Sequence, residues 1–227
     1  MGFLNQTDSS LKGWDYVERV LFPVFYGIAV FRVMRMPEKT GDFLGALVWI
    51  KFLLICSLVG SIVGLLIFSR KSVISVKNSR DILIPLACSF FFILATTIPS
   101  LPEVLRRSYI PAKAQGLFHI LGLIIGLIGI LISLWGTMTL GRNFSVFIVA
   151  KEVVKNGPYR WVRHPIYFGY LLDWVGVGLI SGSIAVLVLG SAFYFLIRWR
   201  ASEEEIRLNQ LDQGYKEYRV KTSAGIL

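Results

Sequence analysis

The chain has 227 residues, 55% of them hydrophobic, a mean hydropathy of +0.64 and a formal net charge of +10. That much apolar surface exceeds what a soluble domain of this length buries, which excludes an ordinary soluble globule and points to an integral membrane protein. The positive charge then reads as basic loops facing an anionic leaflet; no basic module long enough to fold stands outside the apolar runs, so nucleic acid is not an expected partner.

In chain order, the first 19 residues include Asp8, Asp15 and Glu18 and lack a basic opening, so no cleaved signal peptide is expected. Six apolar segments follow, at roughly 20–35, 43–68, 82–99, 117–139, 166–181 and 183–199. They read as mostly helical, because a backbone in hydrocarbon has to satisfy its own hydrogen bonds. The second and fourth reach the roughly 20 residues that a span requires. The first is weaker, with Pro23 inside it and Arg32 near its end. The last two run for roughly 16 residues, about 24 Å as helix. Gly176, Gly178, Ser181, Gly182 and Ser183 mark a turn between them. The expected fold class is an all-α integral membrane protein, a bundle of about six helices whose last two form a hairpin with a cytoplasmic helical tail.

Charge orients this bundle. With the amino terminus inside, the inner segments hold seventeen Lys and Arg residues, from Lys12 to Lys221. The outer loops hold six: Arg32, Arg35, Lys39, Arg106, Arg107 and Lys113. The asymmetry predicts a multi-pass protein with both termini in the cytoplasm.

A few small or polar residues interrupt the apolar runs. Gly60 and Gly64 on one segment, and Gly122, Gly126 and Gly129 on another, have the spacing of close helix packing. Lys51 reads as a snorkelling or paired cation, and Asp173 either as a partner for a buried cation or as a pocket residue. Cys56 and Cys88 both lie in apolar runs, so neither a disulfide nor a metal site is expected of them.

Polar chemistry concentrates at two places. Gly157-Pro158-Tyr159-Arg160-Trp161-Val162-Arg163-His164-Pro165-Ile166-Tyr167-Phe168-Gly169 leads into the fifth segment, and Glu203-Glu204-Glu205 follows the sixth. If the last two segments form a hairpin, both clusters meet on one membrane face. Pro165 suits a first helical turn and pushes His164 towards extended backbone. Arg163 and His164 would then stand at a helix amino terminus, which favours a carboxylate or phosphate guest. A basic membrane-edge anchor, with Tyr159, Trp161 and Tyr167 as aromatic belt residues, explains the same residues equally well.

Taken together, Leu140-Gly141-Arg142-Asn143-Phe144-Ser145, the Gly157–Gly169 stretch, Glu203-Glu204 and Tyr215-x-x-Tyr218 resemble the isoprenylcysteine carboxyl methyltransferase family, over about residues 135–222. Related membrane methyltransferases, including those acting on phospholipid amines, share the Arg-His-Pro-x-Tyr-x-Gly and Glu-Glu pattern. The resemblance implies an S-adenosylmethionine cofactor held at the cytoplasmic end of the last helices, in a bundle without a nucleotide-binding sheet. It assigns Gly157, Pro158, Tyr159, Arg163, His164, Tyr167 and Gly169 to the cofactor site. Glu203 and Glu204 match the acidic pair as catalytic candidates, and Glu205 falls outside it, facing solvent or the side of Arg207. Arg200, one turn earlier, is a third candidate, as a clamp for an anionic acceptor or as a snorkelling anchor. Residues 1–115 become amino-terminal membrane helices without an assigned function. Residues 116–227 become the methyltransferase core and tail of one integrated membrane domain. The implied acceptor is a lipophilic small molecule or lipidated group among membrane lipids, most like isoprenylcysteine carboxylate, with a thiol or a phospholipid amine as alternatives.

Two rival functions fit part of the pattern. Sterol-type membrane reductases, which use NADPH, also carry an Arg-His-Pro-x-Tyr segment. A non-enzymatic membrane protein could keep the same fold. Glu203-Glu204 followed by Tyr215-x-x-Tyr218 favours methyl transfer over reduction, and the lack of an internal repeat argues against a transporter.

Overall fold

The computed structural model describes residues 18–24, 26–28, 31, 43–70, 72–73, 76, 78–97, 108–211 and 214–222. Helical residues between 18 and 31 precede α1 (Phe43–Ile67), α2 (Arg80–Thr97), α3 (Ala112–Leu140), α4 (Pro165–Ser181), α5 (Ile184–Leu211) and α6 (Tyr215–Lys221). No β-strand occurs among the described residues. Parts of the first and third apolar segments, and the cations Lys12, Arg32, Arg35, Lys39, Lys71, Lys77, Arg106 and Arg107, lie outside them.

Among the described residues, Val48–Ile67, Ala112–Asn143 and Ile184–Leu211 are long and apolar enough to cross a membrane, and α4 is a shorter apolar helix. The chain is an all-α integral membrane protein. Hydropathy locates these helices well but misplaces two boundaries: α3 begins at Ala112, five residues before the fourth apolar run, and the end of α5 moves further. The sixth apolar run stops at Trp199, yet α5 continues without a break to Leu211. Its extension is rich in Arg, Ala, Glu and Leu, good helix formers, and contains no proline.

The core seam runs between α3 and α4. Gly122, Gly126 and Gly129 are buried on α3 and meet Gly169, Asp173 and Gly176 on α4. A methyl group at Gly122 would stand 2.6 Å from the Gly176 carbonyl oxygen, and one at Gly129 would stand 2.5 Å from that of Gly169. The Ser133 hydroxyl closes the seam by donating to the Ile166 carbonyl at 3.2 Å. Without a hydrophobic driving force between helices in lipid, such backbone proximity supplies the packing. Among the described residues nothing packs on Gly60 and Gly64 as expected, because added methyl groups there would meet none of them within 4 Å. α1 turns Leu58, Val59, Ile62 and Leu66 to the core instead.

Between α4 and α5 the chain reverses within two residues. Gly182 takes φ +60° and donates its N–H to Gly178 at 2.8 Å. Gly176 and Gly178, expected in this turn, are buried inside α4. At this end the Gly182 carbonyl also accepts the Tyr109 N–H at 3.0 Å. At the opposite end Arg19 donates to the Ser69 carbonyl (3.1 Å), Arg142 to the Phe68 carbonyl (3.0 Å), and Arg70 pairs with Glu152 (2.6 Å). The loops on that end therefore collect at one face of the bundle.

Candidate active site at one end of the bundle

After α3 the chain leaves the helix at Gly141 (φ +53°) and folds inward, so that Val146, Phe147 and Ile148 are buried. Such a loop has to place its backbone polar groups somewhere. Glu18, itself buried, accepts the N–H groups of Val146 and Phe147 and the Ser145 hydroxyl. Arg200 donates to the Val146 carbonyl at 2.6 Å, and Lys151 to that of Phe144 at 2.6 Å. Burial pushes the Glu18 carboxyl up, against the lowering effect of these N–H donors and of Lys151. A second short turn, Gly157–Arg160, buries Pro158 and Tyr159. The chain then enters α4, with His164 at the cap and Pro165 at the first helical position.

At this entrance α4 meets α5 and α6. Arg163 pairs with Glu205 at 2.7 Å and donates to the carbonyls of Arg219 (3.2 Å) and Thr222 (3.1 Å). The His164 ring stacks on Tyr167, with 5.3 Å between centroids. Its nitrogens lie 3.8 Å from Glu204 and 3.4 Å from Glu205. The Tyr167 hydroxyl donates to Glu204. Arg200, buried one turn before Glu204, pairs with it at 3.1 Å and sets its guanidinium over the Tyr167 ring at 5.2 Å. The anion that the start of α4 favours is thus supplied by the protein itself, from α5. α6 caps the cluster, where Tyr218 donates to the Tyr159 carbonyl at 2.6 Å. Burial raises the phenols of Tyr159, Tyr215 and Tyr218, the last to about 12, so all three stay protonated donors at neutral pH.

A cavity of about 340 Å³ opens beside this cluster. Tyr159, Arg163, His164, Tyr167, Gly169, Arg200 and Glu204 line it, whereas Gly157, Pro158 and Glu203 do not. Gly157 instead takes φ +55° and packs on Thr139, shaping the turn. Gly169 is lined up with Ser133 and Gly129, so its missing side chain admits α3 as well as facing the cavity. The acidic residues at the cluster are Glu204 and Glu205 rather than Glu203 and Glu204. Residues on a helix step by about 100°, so a shift of one position decides which acid faces α4. Of the expected belt residues, Tyr159 and Tyr167 are buried and Trp161 alone is exposed, beside Trp135.

Several site residues carry little sequence signal. The amino-terminal half supplies Tyr26, Lys51, Cys88 and Ser89 to the cavity wall. Asn143 lines it too, and its buried amide oxygen has no hydrogen-bond partner among the described residues. Its place in the Gly-Arg-Asn-Phe stretch was the available clue. Glu18 could be found only as an acid next to an apolar run.

Comparison with known proteins places this geometry. Residues 117–212, from α3 to α5, match the family model described as phospholipid methyltransferase. The chain is 27% identical over 154 residues to the protein-S-isoprenylcysteine O-methyltransferase of Saccharomyces cerevisiae, covering 62% of each. It is 28% identical over 97 residues to the Schizosaccharomyces pombe enzyme of that name, covering 38% of this chain and 39% of the relative. It is also 29% identical over 65 residues to the methanethiol S-methyltransferase of Mycobacterium tuberculosis, covering 29% and 26%. The chain thus spans less than two thirds of the length of each of these relatives. The cluster of Arg163, His164, Tyr167, Arg200, Glu204 and Glu205 falls inside the matched stretch, over which the chain is similar to the phospholipid methyltransferase model and to these methyltransferases.

Proposed function

We propose that this protein is a membrane-bound methyltransferase that uses S-adenosylmethionine and methylates a lipophilic acceptor, with isoprenylcysteine carboxyl methylation as the most similar chemistry. One observation carries this reading: the Tyr167–Glu204–Arg200 cluster stands at the wall of a cavity inside the matched stretch. The residues present suit that cofactor. Glu204 offers a carboxylate to an ammonium group or ribose hydroxyls, the unpartnered Asn143 oxygen accepts from an amino group, and buried aromatic faces suit a ring and a cation.

When bound, the cofactor would supply an electrophilic methyl group on a sulfonium sulfur, open to in-line displacement by the acceptor with a neutral thioether as the leaving group. Such an in-line displacement asks the protein for position and dryness more than for proton transfer. Tyr167 and Arg200 hold Glu204 in one geometry. Arg200 keeps further guanidinium donors beyond Glu204 and Val146 with which to receive an anionic acceptor. Arg163 acts through Glu205 and the α6 carbonyls, closing the end of the site against water. The site and both termini face the cytoplasm, a reading supported by the basic residues gathered at this end.

Thermal unfolding of the purified chain in detergent tests the cofactor. S-adenosylhomocysteine is expected to raise the midpoint by mass action and NADPH to leave it unchanged. The reverse result transfers the site to reductase chemistry.

A further inference from the structure

Lys51 of α1 and Asp173 of α4 form an ion pair at 2.7 Å, and both line the cavity. Gly126 makes room for them. A methyl group there would stand 2.9 Å from the Lys51 nitrogen and 3.0 Å from the Asp173 oxygen. Gly126 is also the fifteenth residue of the 29-residue α3, which puts the pair near mid-depth of the bundle. A charged pair at that depth is costly, and an apolar pair of similar volume would hold the helices as well. The contact is an ion pair through one carboxylate oxygen, Asp173 Oδ1, which is buried and accepts no hydrogen bond among the described residues. An ammonium has three donors and a carboxylate two oxygens, so capacity remains on the cavity side.

The reaction end, at Tyr167, lies six residues earlier on α4, about 9 Å along the axis. Apolar side chains, among them Leu58, Ile130, Trp174 and Ile197, line the cavity with them. The cavity therefore has two polar ends on an otherwise largely apolar wall.

We propose that Lys51 and Asp173 form a second polar subsite of the acceptor pocket, so that the preferred acceptor is an amphiphile with a second hydrogen-bonding group about 9 Å from the methylated atom rather than a plain hydrocarbon tail. The proposal rests on the methyltransferase reading above for which end reacts. It draws one of the two groups, Lys51, from the amino-terminal half, where the matched stretch does not reach, and the other, Asp173, from within that stretch.

The test compares two probes on the full-length protein in detergent: N-acetyl-S-prenylcysteine and its ω-hydroxyprenyl analogue, whose hydroxyl lies about as far from the carboxylate as the two polar ends lie apart. Equilibrium affinity is measured for each, with labelled methyl transfer in parallel. The hydroxylated probe is expected to bind about tenfold tighter, the effect of one hydrogen bond to a charged group. In the double variant Lys51→Met/Asp173→Leu, which removes both charges together, the two affinities are expected to fall within about twofold of each other, with the plain probe still bound. Equal affinities in the native protein, no binding of either probe, or a preference that survives in the double variant overturns the proposal. Should the double variant fail to fold, the native ratio decides alone. A preserved ratio without methyl transfer refutes the methyltransferase reading and leaves the subsite standing. Transfer to both probes at equal affinity does the opposite.

Discussion

Arg207 reaches from the last turns of α5 to Asp81 in the first turn of α2, and both side chains are buried. Asp81 also accepts the Asn78 N–H at 2.9 Å, and its own carbonyl accepts the Ile148 N–H at 3.2 Å. One residue thus ties the end of α5 to the loop that walls the cavity, and with it fixes the rotation of α5 that presents Glu204 and Glu205.

Removing one partner leaves a buried charge uncompensated. Asp81→Ala is expected to destabilise the protein by about 3–5 kcal/mol. A drop of only a few tenths in a denaturation measurement in detergent would show that the pair is ornamental.

The acids separate by face. Glu204→Gln is expected to lower methyl transfer by roughly ten- to a hundredfold, since it loses charge-assisted bonds to Tyr167 and Arg200. Glu205→Gln should weaken activity by loosening Arg163 and α6, and Glu203→Gln should stay near native. Assays with labelled cofactor rank the three, and a dominant loss at Glu203 would put the register back by one residue.

Glycines divide in the same way. Gly129→Ala is expected to destabilise the protein by about 1–3 kcal/mol through overpacking against α4. Gly60→Ala meets none of the described residues within 4 Å and is expected to be neutral or stabilising, by up to about 1 kcal/mol of helix propensity. Thermal midpoints of the two variants should move in opposite directions or differ clearly in size.

Both termini are expected on the cytoplasmic side. Impermeant thiol labelling of a single cysteine placed in a carboxyl-terminal tag should fail on intact cells and succeed after permeabilisation. Labelling from outside would invert the site.

The helices were legible because continuous apolar runs of sufficient length have few alternatives to helix in lipid. The glycine seam on α3 was legible too, because small residues at that spacing permit backbone contact. What hydropathy could not supply was phase. Glu203, Glu204 and Glu205 are identical in chemistry, and only the packing of Ile197, Arg200 and Ala201 determines which of them turns towards α4. The reach of Glu18 to Val146, 128 residues away, leaves no periodic trace at either end. The Lys51–Asp173 pair was visible as two separate anomalies, each open to several readings, and becomes one feature only when α1 and α4 are side by side.

The grip of Arg163 on the Arg219 and Thr222 carbonyls, 56 and 59 residues further on, has a bearing on biosynthesis. A ribosome exposes Arg163 long before either acceptor exists. Until α6 emerges, the guanidinium has Glu205 of α5 but neither carbonyl acceptor, and the cavity stays unsealed. Competence to hold a ligand therefore arrives late in translation, and an arrested chain that already contains every membrane-spanning helix described would be inserted and yet open.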